Sequence, residues 1–385
     1  MCDRVVVVDQ RMSLSTDVIN VLKVCKPLLE EHRDQIGVTF YNKLFTDYPE
    51  TKNVFNMSHQ TREGKPGIQP VTLANSLVAY ATHCDNLAVL GPFVERVANK
   101  HVSFDVQPEQ YPVVGGVLLA TLEEVLGKET FNEDVKKAVA EAYFFLADIF
   151  INKESEMKKI LSEAPGGWTG WRKMKLVDKV VESPKHTSFM FIPEDGGELM
   201  EYKPGQYISI RLPPLPGTDH HHVRNYSLSD EPRTDLYRIT VKREEEGAVS
   251  NHLHNNVTVG DVLDLGVPCG DFVLQPGSSC VFVGAGIGIT PLLSMMKVSA
   301  KQGNKVETII HVIVNSLCHF QNTLIYRASS AASHPFRSEI ESVLSYEGTT
   351  VHWMYSENKV SENKKNQPLP LPLSLLGTRC RVYSW

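Results

Sequence analysis

The hydrophobic spacing of this chain changes across Ala164-Pro165-Gly166-Gly167-Trp168-Thr169-Gly170, and that change rules out a single uniform architecture. Before it, from about Ser15 to Leu161, apolar residues recur at helical intervals with almost no strand signal. After it the period is two. Strand candidates follow at Leu176–Val181, Thr187–Ile192, Gln206–Leu212, Tyr226–Leu228, Leu236–Lys242 and Asp261–Val267, which suggests a small antiparallel barrel. Then comes a continuous apolar run, Cys280-Val281-Phe282-Val283, of the kind found in a buried parallel strand. A chain of 385 residues is also too long for one ordinary core. The expected fold is multi-domain. It has an all-α domain at 15–161, an antiparallel β-barrel at 171–276, an incomplete α/β domain at 277–357 and a divergent tail at 358–385.

Within the helical part, Gly91-Pro92 reads as a helix start, because proline fits the first turn, where its missing N–H is not needed. Phe93, Val97 and His101 follow at i, i+4 and i+8, with Val94 and Ala98 on the same stripe, so an imidazole ends the apolar face. A lone imidazole so placed is most often a hydrogen-bonded core histidine. Here Tyr111 follows closely, and Glu141 interrupts the stripe Ala138, Ala142, Phe145, Ile149 of a later helix. A phenol and a carboxylate near one ring nitrogen would make the other nitrogen a stronger metal ligand.

Ser15, Thr16 and Asp17 can cap a first helix running through Val18, Leu22 and Val24. Pro49 stops the next helix, which carries Val38, Tyr41, Leu44 and Phe45. Asn132 can cap the last. After a polar insertion, Thr61 to Pro70, a further helix aligns Gln69, Leu73, Leu77, Tyr80 and Cys84. Gln69 and His101 then lie on consecutive inward-facing helices, with room between them for a flat cofactor faced also by Tyr41 and Leu73. His59 and His83 read as surface residues. The tract His220-His221-His222 reads as a solvated turn.

Hydrophobic residues make up 42% of the chain and charged ones 22%, as in soluble globular proteins. A net charge of −6 gives no electrostatic case for nucleic acid. Seven cysteines without a Cys-x-x-Cys pair suggest free thiols in a reducing compartment. Val5-Val6-Val7-Val8 is too short for a signal-peptide core, and no apolar run is long enough to span a bilayer, so the cytoplasm is the expected location.

Phe40-Tyr41, Phe55-Asn56-Met57-Ser58, Ala79-Tyr80-Ala81, Lys100-His101-x-Ser103-Phe104 and Pro108-Glu109-Gln110-Tyr111 resemble the globin domain of flavohemoglobins. The resemblance implies heme b with His101 as its proximal ligand and metal-binding residue, and Glu141 and Tyr111 hydrogen-bonding around that ring. It places Tyr41, Gln69 and Leu73 in the distal pocket and Phe55 against the heme. Lys203-Pro204-Gly205-Gln206-Tyr207, Arg224-Asn225-Tyr226-Ser227-Leu228 and Gly247-x-Val249-Ser250-Asn251 resemble the flavin motifs of the ferredoxin reductase family.

This second match implies FAD bound by Tyr207, Arg224, Tyr226, Ser227, Gly247 and Ser250. Arg224 would pair with the pyrophosphate, Tyr226 would cover the ring, and Ser227 would meet its reactive edge. Gly284, Gly286, Gly288 and Thr290 resemble the family's NAD(P)H loop, with Thr290 near the nicotinamide.

The implied activity is nitric oxide dioxygenation, in which NO and O2 become nitrate with electrons passing from NAD(P)H through FAD to heme. A monomer or weak dimer is expected. The rival expectation is an O2- or NO-binding scavenger or sensor that cannot turn over with NAD(P)H. Its ground is the end of the chain. From Asn358 the sequence is polar and passes through Pro368-Leu369-Pro370-Leu371-Pro372, without the family's last strands, its Cys-Gly-Pro turn or its late phenylalanine. On that pattern the Cys280 strand becomes an unpaired apolar edge. A divergent splice form or a mispredicted gene end is the expected cause.

Overall fold

The computed structural model describes residues 13–275, 279–283, 286–301, 306–307, 323–328, 335–343, 350–355 and 380–384. The chain forms two compact units. Of the described residues, one contains those up to Glu163 together with Arg211–Arg224, and the other contains Ala164–Ile210 and those from Asn225 onward.

In the first unit the helical spacing produces helices α1 (Thr16–Glu31) and α2 (Arg33–Asp47), then a hairpin of β1 (Thr61–Arg62) and β2 (Lys65–Pro66). Helices α3 (Ile68–His83), α4 (Gly91–Ser103), α5 (Gln110–Leu126) and α6 (Glu133–Glu163) follow. The caps are those the sequence suggests. Ser15 Oγ accepts from Val18 N at 3.3 Å, and Asn132 Oδ1 accepts from Asp134 N and Val135 N at 3.1 Å. Gly127, at φ 79°, ends α5. Helix α2 stops at Asp47, just before Pro49. Leu22, Ile36, Leu44, Leu118 and Leu122 fill the main core. Val24 does not join them. It lies two positions after Leu22, about 200° around the helix, and is 74% exposed.

All six strand candidates of the barrel form. They are β3 (Trp171–Ser183), β4 (His186–Pro193), β5 (Tyr207–Leu212), β6 (His222–Ser227), β7 (Tyr237–Lys242) and, after helix α7 (Ala248–Asn255), β8 (Val262–Gly266). They pair in the order β6-β5-β8-β3-β4-β7, and an antiparallel bridge from Leu228 to Ile239 joins the two edges into a barrel. Phe189, Phe191, Ile208, Ile210 and Tyr237 fill it.

The rest of this unit comprises β9 (Ser279–Val283), α8 (Ile289–Lys301), β10 (Val306–Glu307), β11 (Thr323–Ala328), α9 (Arg337–Val343), β12 (Thr350–Tyr355) and β13 (Cys380–Ser384). Here the structure corrects one expectation. Strand β9 is not an unpaired edge. It lies between β10 and β13, parallel to both, with Val382 opposite Val281. The segment Cys380-Arg381-Val382-Tyr383-Ser384 has the β-branched and aromatic content that suits a strand. Strand β11 pairs in parallel with β12. The proline-rich stretch 368–372 lies outside the described residues.

A charged cluster ties α8 and α9 to the barrel. Arg238 on β7 is buried and donates to Glu339 on α9 at 3.1 and 3.2 Å, while Lys297 on α8 pairs with both Asp230 and Glu339. His186 is buried at the start of β4, with Nδ1 2.7 Å from Ser183 Oγ. Burial first, and then the Lys242 cation, push its imidazole down to about 4. The unfolded chain therefore binds this proton between about pH 6.5 and pH 4 while the folded chain does not, so stability falls as pH drops through that window. The loss attributable to His186 is on the order of 3 kcal/mol. His186→Gln should lose less stability than the wild type between pH 7 and pH 4.5 in urea unfolding of the barrel. Parallel losses in the two proteins would show that His186 carries no such penalty.

Candidate functional site

Helix α4 starts at Gly91-Pro92 and presents Val94, Ala98 and His101 to a small core completed by Tyr111, Ala147 and Phe150. The helix ends just past His101, whose carbonyl accepts from Phe104 N at 3.1 Å and Val106 N at 3.0 Å. Both side-chain hydrogen bonds of His101 go through Nδ1. One joins it to Glu154 Oε1 at 2.7 Å and the other to the Tyr111 hydroxyl at 2.9 Å. Tyr111 also donates to Glu154 at 2.6 Å. Glu154 is 4% exposed. Burial and then the bond to Glu154 push the Tyr111 phenol well above its ordinary range, so it remains a donor.

The carboxylate is thus Glu154, and the expectation for Glu141 is wrong. Glu141 is exposed on α6. Thirteen residues of helix separate the two, an axial distance of about 20 Å, so Glu141 cannot reach the imidazole that Glu154 holds. A signal for Glu154 was present in the sequence. Ala147, Phe150 and Glu154 are all buried on α6 and spaced i, i+3 and i+7, which makes one face. Ion pairs on either side fix the α4–α6 register, with Lys153 to Glu95 at 2.7 Å and Lys158 to Asp105 at 3.4 Å. Gly115 admits the Tyr143 ring, which a Cβ there would meet at 2.4 Å, and Tyr143 then donates to the Tyr111 carbonyl at 2.7 Å.

His101 opens onto a cavity of about 780 Å³, lined also by Tyr41, Phe55, Gln69, Leu73, Leu77 and Val97. Tyr41 is 9% exposed, with its ring 5.4 Å from Phe55 and 5.6 Å from Phe45. Burial pushes the Tyr41 phenol above its ordinary range, so its O–H persists at neutral pH. Gly37 lies one turn before Tyr41, and a Cβ on it would meet the Pro70 carbonyl oxygen at 2.4 Å. This close approach seats the first turn of α3, with Gln69, against the α2 face that carries Tyr41. His59 is exposed, as expected, yet it lines the cavity as well and lies 3.0 Å from Asn56 Nδ2.

These residues suit heme. The volume falls in the range of cofactor sites, roughly 300–1,000 Å³, and the lining is mainly apolar. The engaged Nδ1 leaves Nε2 of His101 as a ligand whose basicity Glu154 and Tyr111 raise.

In the second unit, Tyr207 begins β5 and exchanges backbone hydrogen bonds with Cys269, both at 2.9 Å. Strand alternation on β6 sets Arg224 and Tyr226 on one face and Asn225 and Ser227 on the other. Asn225 donates to buried Ser209 at 2.7 Å, while Arg224, Tyr226 and Ser227 are half-buried. Gly247 caps α7. A Cβ there would meet Ser250 Oγ at 2.5 Å, and Ser250 lies inside the first turn rather than opening the helix. A guanidinium, two phenols and a glycine-led helix N-terminus suit a flavin dinucleotide. Gly286, at φ 55°, and Gly288 form a tight turn into α8, where buried Thr290 donates to the Ile287 carbonyl at 2.9 Å. Gly284 lies outside the described residues.

Among the described residues, Cys25, Cys84 and Cys269 are buried and free, and no helix is long and apolar enough to cross a membrane. The Globin family matches residues 38–149, and the Oxidoreductase FAD-binding domain family matches residues 173–274. The chain is 44% identical to the flavohemoprotein of Halalkalibacterium halodurans over 327 residues, covering 83% of this chain and 78% of that one. It is 40% identical to the flavohemoprotein of Vibrio cholerae over 347 residues, covering 89% and 82%. The crystal structure of flavohemoglobin from Malassezia yamatoensis with bound FAD and heme superimposes with a TM-score of 0.73 at 26% identity, covering 89% of this chain and 85% of that one. Sequence and fold agree, and the chain belongs to the flavohemoprotein family.

Proposed function

We propose that this protein is an NAD(P)H-dependent nitric oxide dioxygenase that converts NO and O2 to nitrate. One observation carries the reading. A single apolar cavity joins an imidazole held by a buried carboxylate to two polar side chains, Tyr41 and Gln69, that can receive a diatomic ligand. When bound, NAD(P)H supplies hydride, FAD divides it into single electrons, and heme b supplies the iron at which O2 and NO meet. Per hydride, two NO and two O2 give two nitrates, one NAD(P)+ and one proton.

The protein's own contributions follow from its side chains. His101 Nε2 would hold the iron, with Nδ1–H donating to Glu154, so that charge flows toward the ligand side. Tyr41 keeps its proton and directs a hydrogen bond at developing negative charge. Phe55 and Leu73, which line the cavity, would pack on the heme and exclude water. Arg224, Gly247 and Ser250 would hold the FAD pyrophosphate, and Tyr207, Tyr226 and Ser227 its ring. Gly284, Gly286, Gly288 and Thr290 would receive NAD(P)H. The buried free thiols agree with a cytoplasmic setting, and a monomer or weak dimer suffices for the chemistry.

The rival scavenger reading rested on the divergent end of the chain, and one consequence expected of that end, an unpaired β9, does not hold, because β9 is paired on both sides. Nitrate yield distinguishes the two readings. With NADH or NADPH, O2 and excess NO, nitrate should exceed heme many-fold, at one NAD(P)H consumed per two NO. Nitrate that stops at one per heme would support the scavenger.

A further inference from the structure

The polar insertion before α3 is an ordered hairpin. Glu63 and Gly64 both take positive φ, 51° and 75°, and turn the chain so that Thr61 pairs with Pro66. The hairpin is closed at its base. Gly67 N donates to the Gln60 carbonyl at 2.8 Å, and a Cβ on Gly67 would meet the His59 carbonyl oxygen at 2.1 Å, so only glycine fits. This closure delivers Gln60 to the first turn of α3, where its Nε2 donates to Gln69 Oε1.

We propose that Gln60 is a positioning residue that fixes which end of the Gln69 amide faces the cavity. An amide whose carbonyl is engaged has only its NH2 left to offer. With Gln60 as donor, Gln69 presents N–H groups to the cavity beside Tyr41, and a bound diatomic ligand meets two donors. The opposite arrangement, with Gln69 donating to Gln60, would turn a carbonyl oxygen toward that ligand and repel it. Packing selects between them. The Gln60 side-chain oxygen, Oε1, is buried without a partner among the described residues. Reversing both amides would strand the Gln60 NH2 instead, and buried donors are stranded less often than buried acceptors. This inference rests on the dioxygenase reading only in taking the cavity as the site of O2.

The test is a double-mutant cycle on the heme-loaded protein. Its readouts are the O2 dissociation rate of the reduced form and the C–O stretching frequency of its carbon monoxide adduct. Gln60→Ala should speed O2 release about five- to tenfold, the weight of one hydrogen bond, and raise the C–O stretch. Gln60→Glu offers only acceptors and reverses the Gln69 amide, so its effect should be larger. In a Gln69→Leu background, Gln60→Ala should change the rate by less than about twofold. An unchanged rate in Gln60→Ala, or an equal effect in both backgrounds, would overturn the proposal. If Gln69→Leu alone leaves both readouts at wild-type values, the distal assignment itself fails, and the proposal fails with it.

Discussion

His101→Ala should purify with little or no bound heme and without the five-coordinate ferrous spectrum expected of the wild type. The cavity lining supplies apolar contact, but a single imidazole offers a free ring nitrogen on the buried Glu154–Tyr111 pair. Removing the ring also leaves Glu154, 4% exposed, with Tyr111 as its one remaining partner in the cluster. A buried carboxylate that loses a charge-assisted bond is destabilised by about 1.5–3 kcal/mol, so some loss of folding stability should accompany the loss of heme. Flavin content should be normal, because no barrel residue is touched. Heme content and the pyridine hemochrome spectrum check this. A variant with full heme content and an unaltered ferrous spectrum would remove His101 as the ligand.

Changing the carboxylate should have the second-largest effect. Glu154→Gln keeps size and shape but replaces an anion with a neutral amide, so Nδ1–H donates to a weaker acceptor and the imidazole becomes less electron-rich. Heme should stay bound. Electron transfer into it and NO turnover should fall about 10- to 100-fold, the usual range for partners of a metal-binding histidine. Glu141→Gln, on the exposed face of the same helix, should behave as wild type. Stopped-flow heme reduction by NADH measures both. Equal rates in wild type and Glu154→Gln would mean that the carboxylate only packs.

Most of the architecture was legible because the two periodicities are strong and their boundaries carry recognisable chemistry. Ser15 and Asn132 cap where their side chains allow, Gly127 ends α5, and every strand candidate of the barrel forms. His101, Tyr111, Tyr41, Gln69 and Leu73 all reach one cavity, because each falls on the inward stripe of its helix or at a helix start.

Three features were not legible, for separate reasons. Glu154 was missed because α6 is long: it shares a face with Ala147 and Phe150, but which face of α6 meets His101 is fixed by the register of α6 against α4. The hairpin before α3 turns on Glu63-Gly64, a weaker signal than Asn-Gly or Asp-Gly, and Gln60 matters only through that turn. Strand β13 is a five-residue strand that follows a proline-rich stretch, and its pairing with β9 is a long-range contact that local pattern does not encode.

A buried carboxylate on α6, Glu154, sets the electronic character of the His101 ring. The iron–imidazole stretching frequency of the reduced protein, read by resonance Raman, tests it most directly in wild type, Glu154→Gln and Glu141→Gln. The frequency should fall in Glu154→Gln and stay at the wild-type value in Glu141→Gln. A frequency unchanged in Glu154→Gln, or lowered in Glu141→Gln instead, would contradict the account.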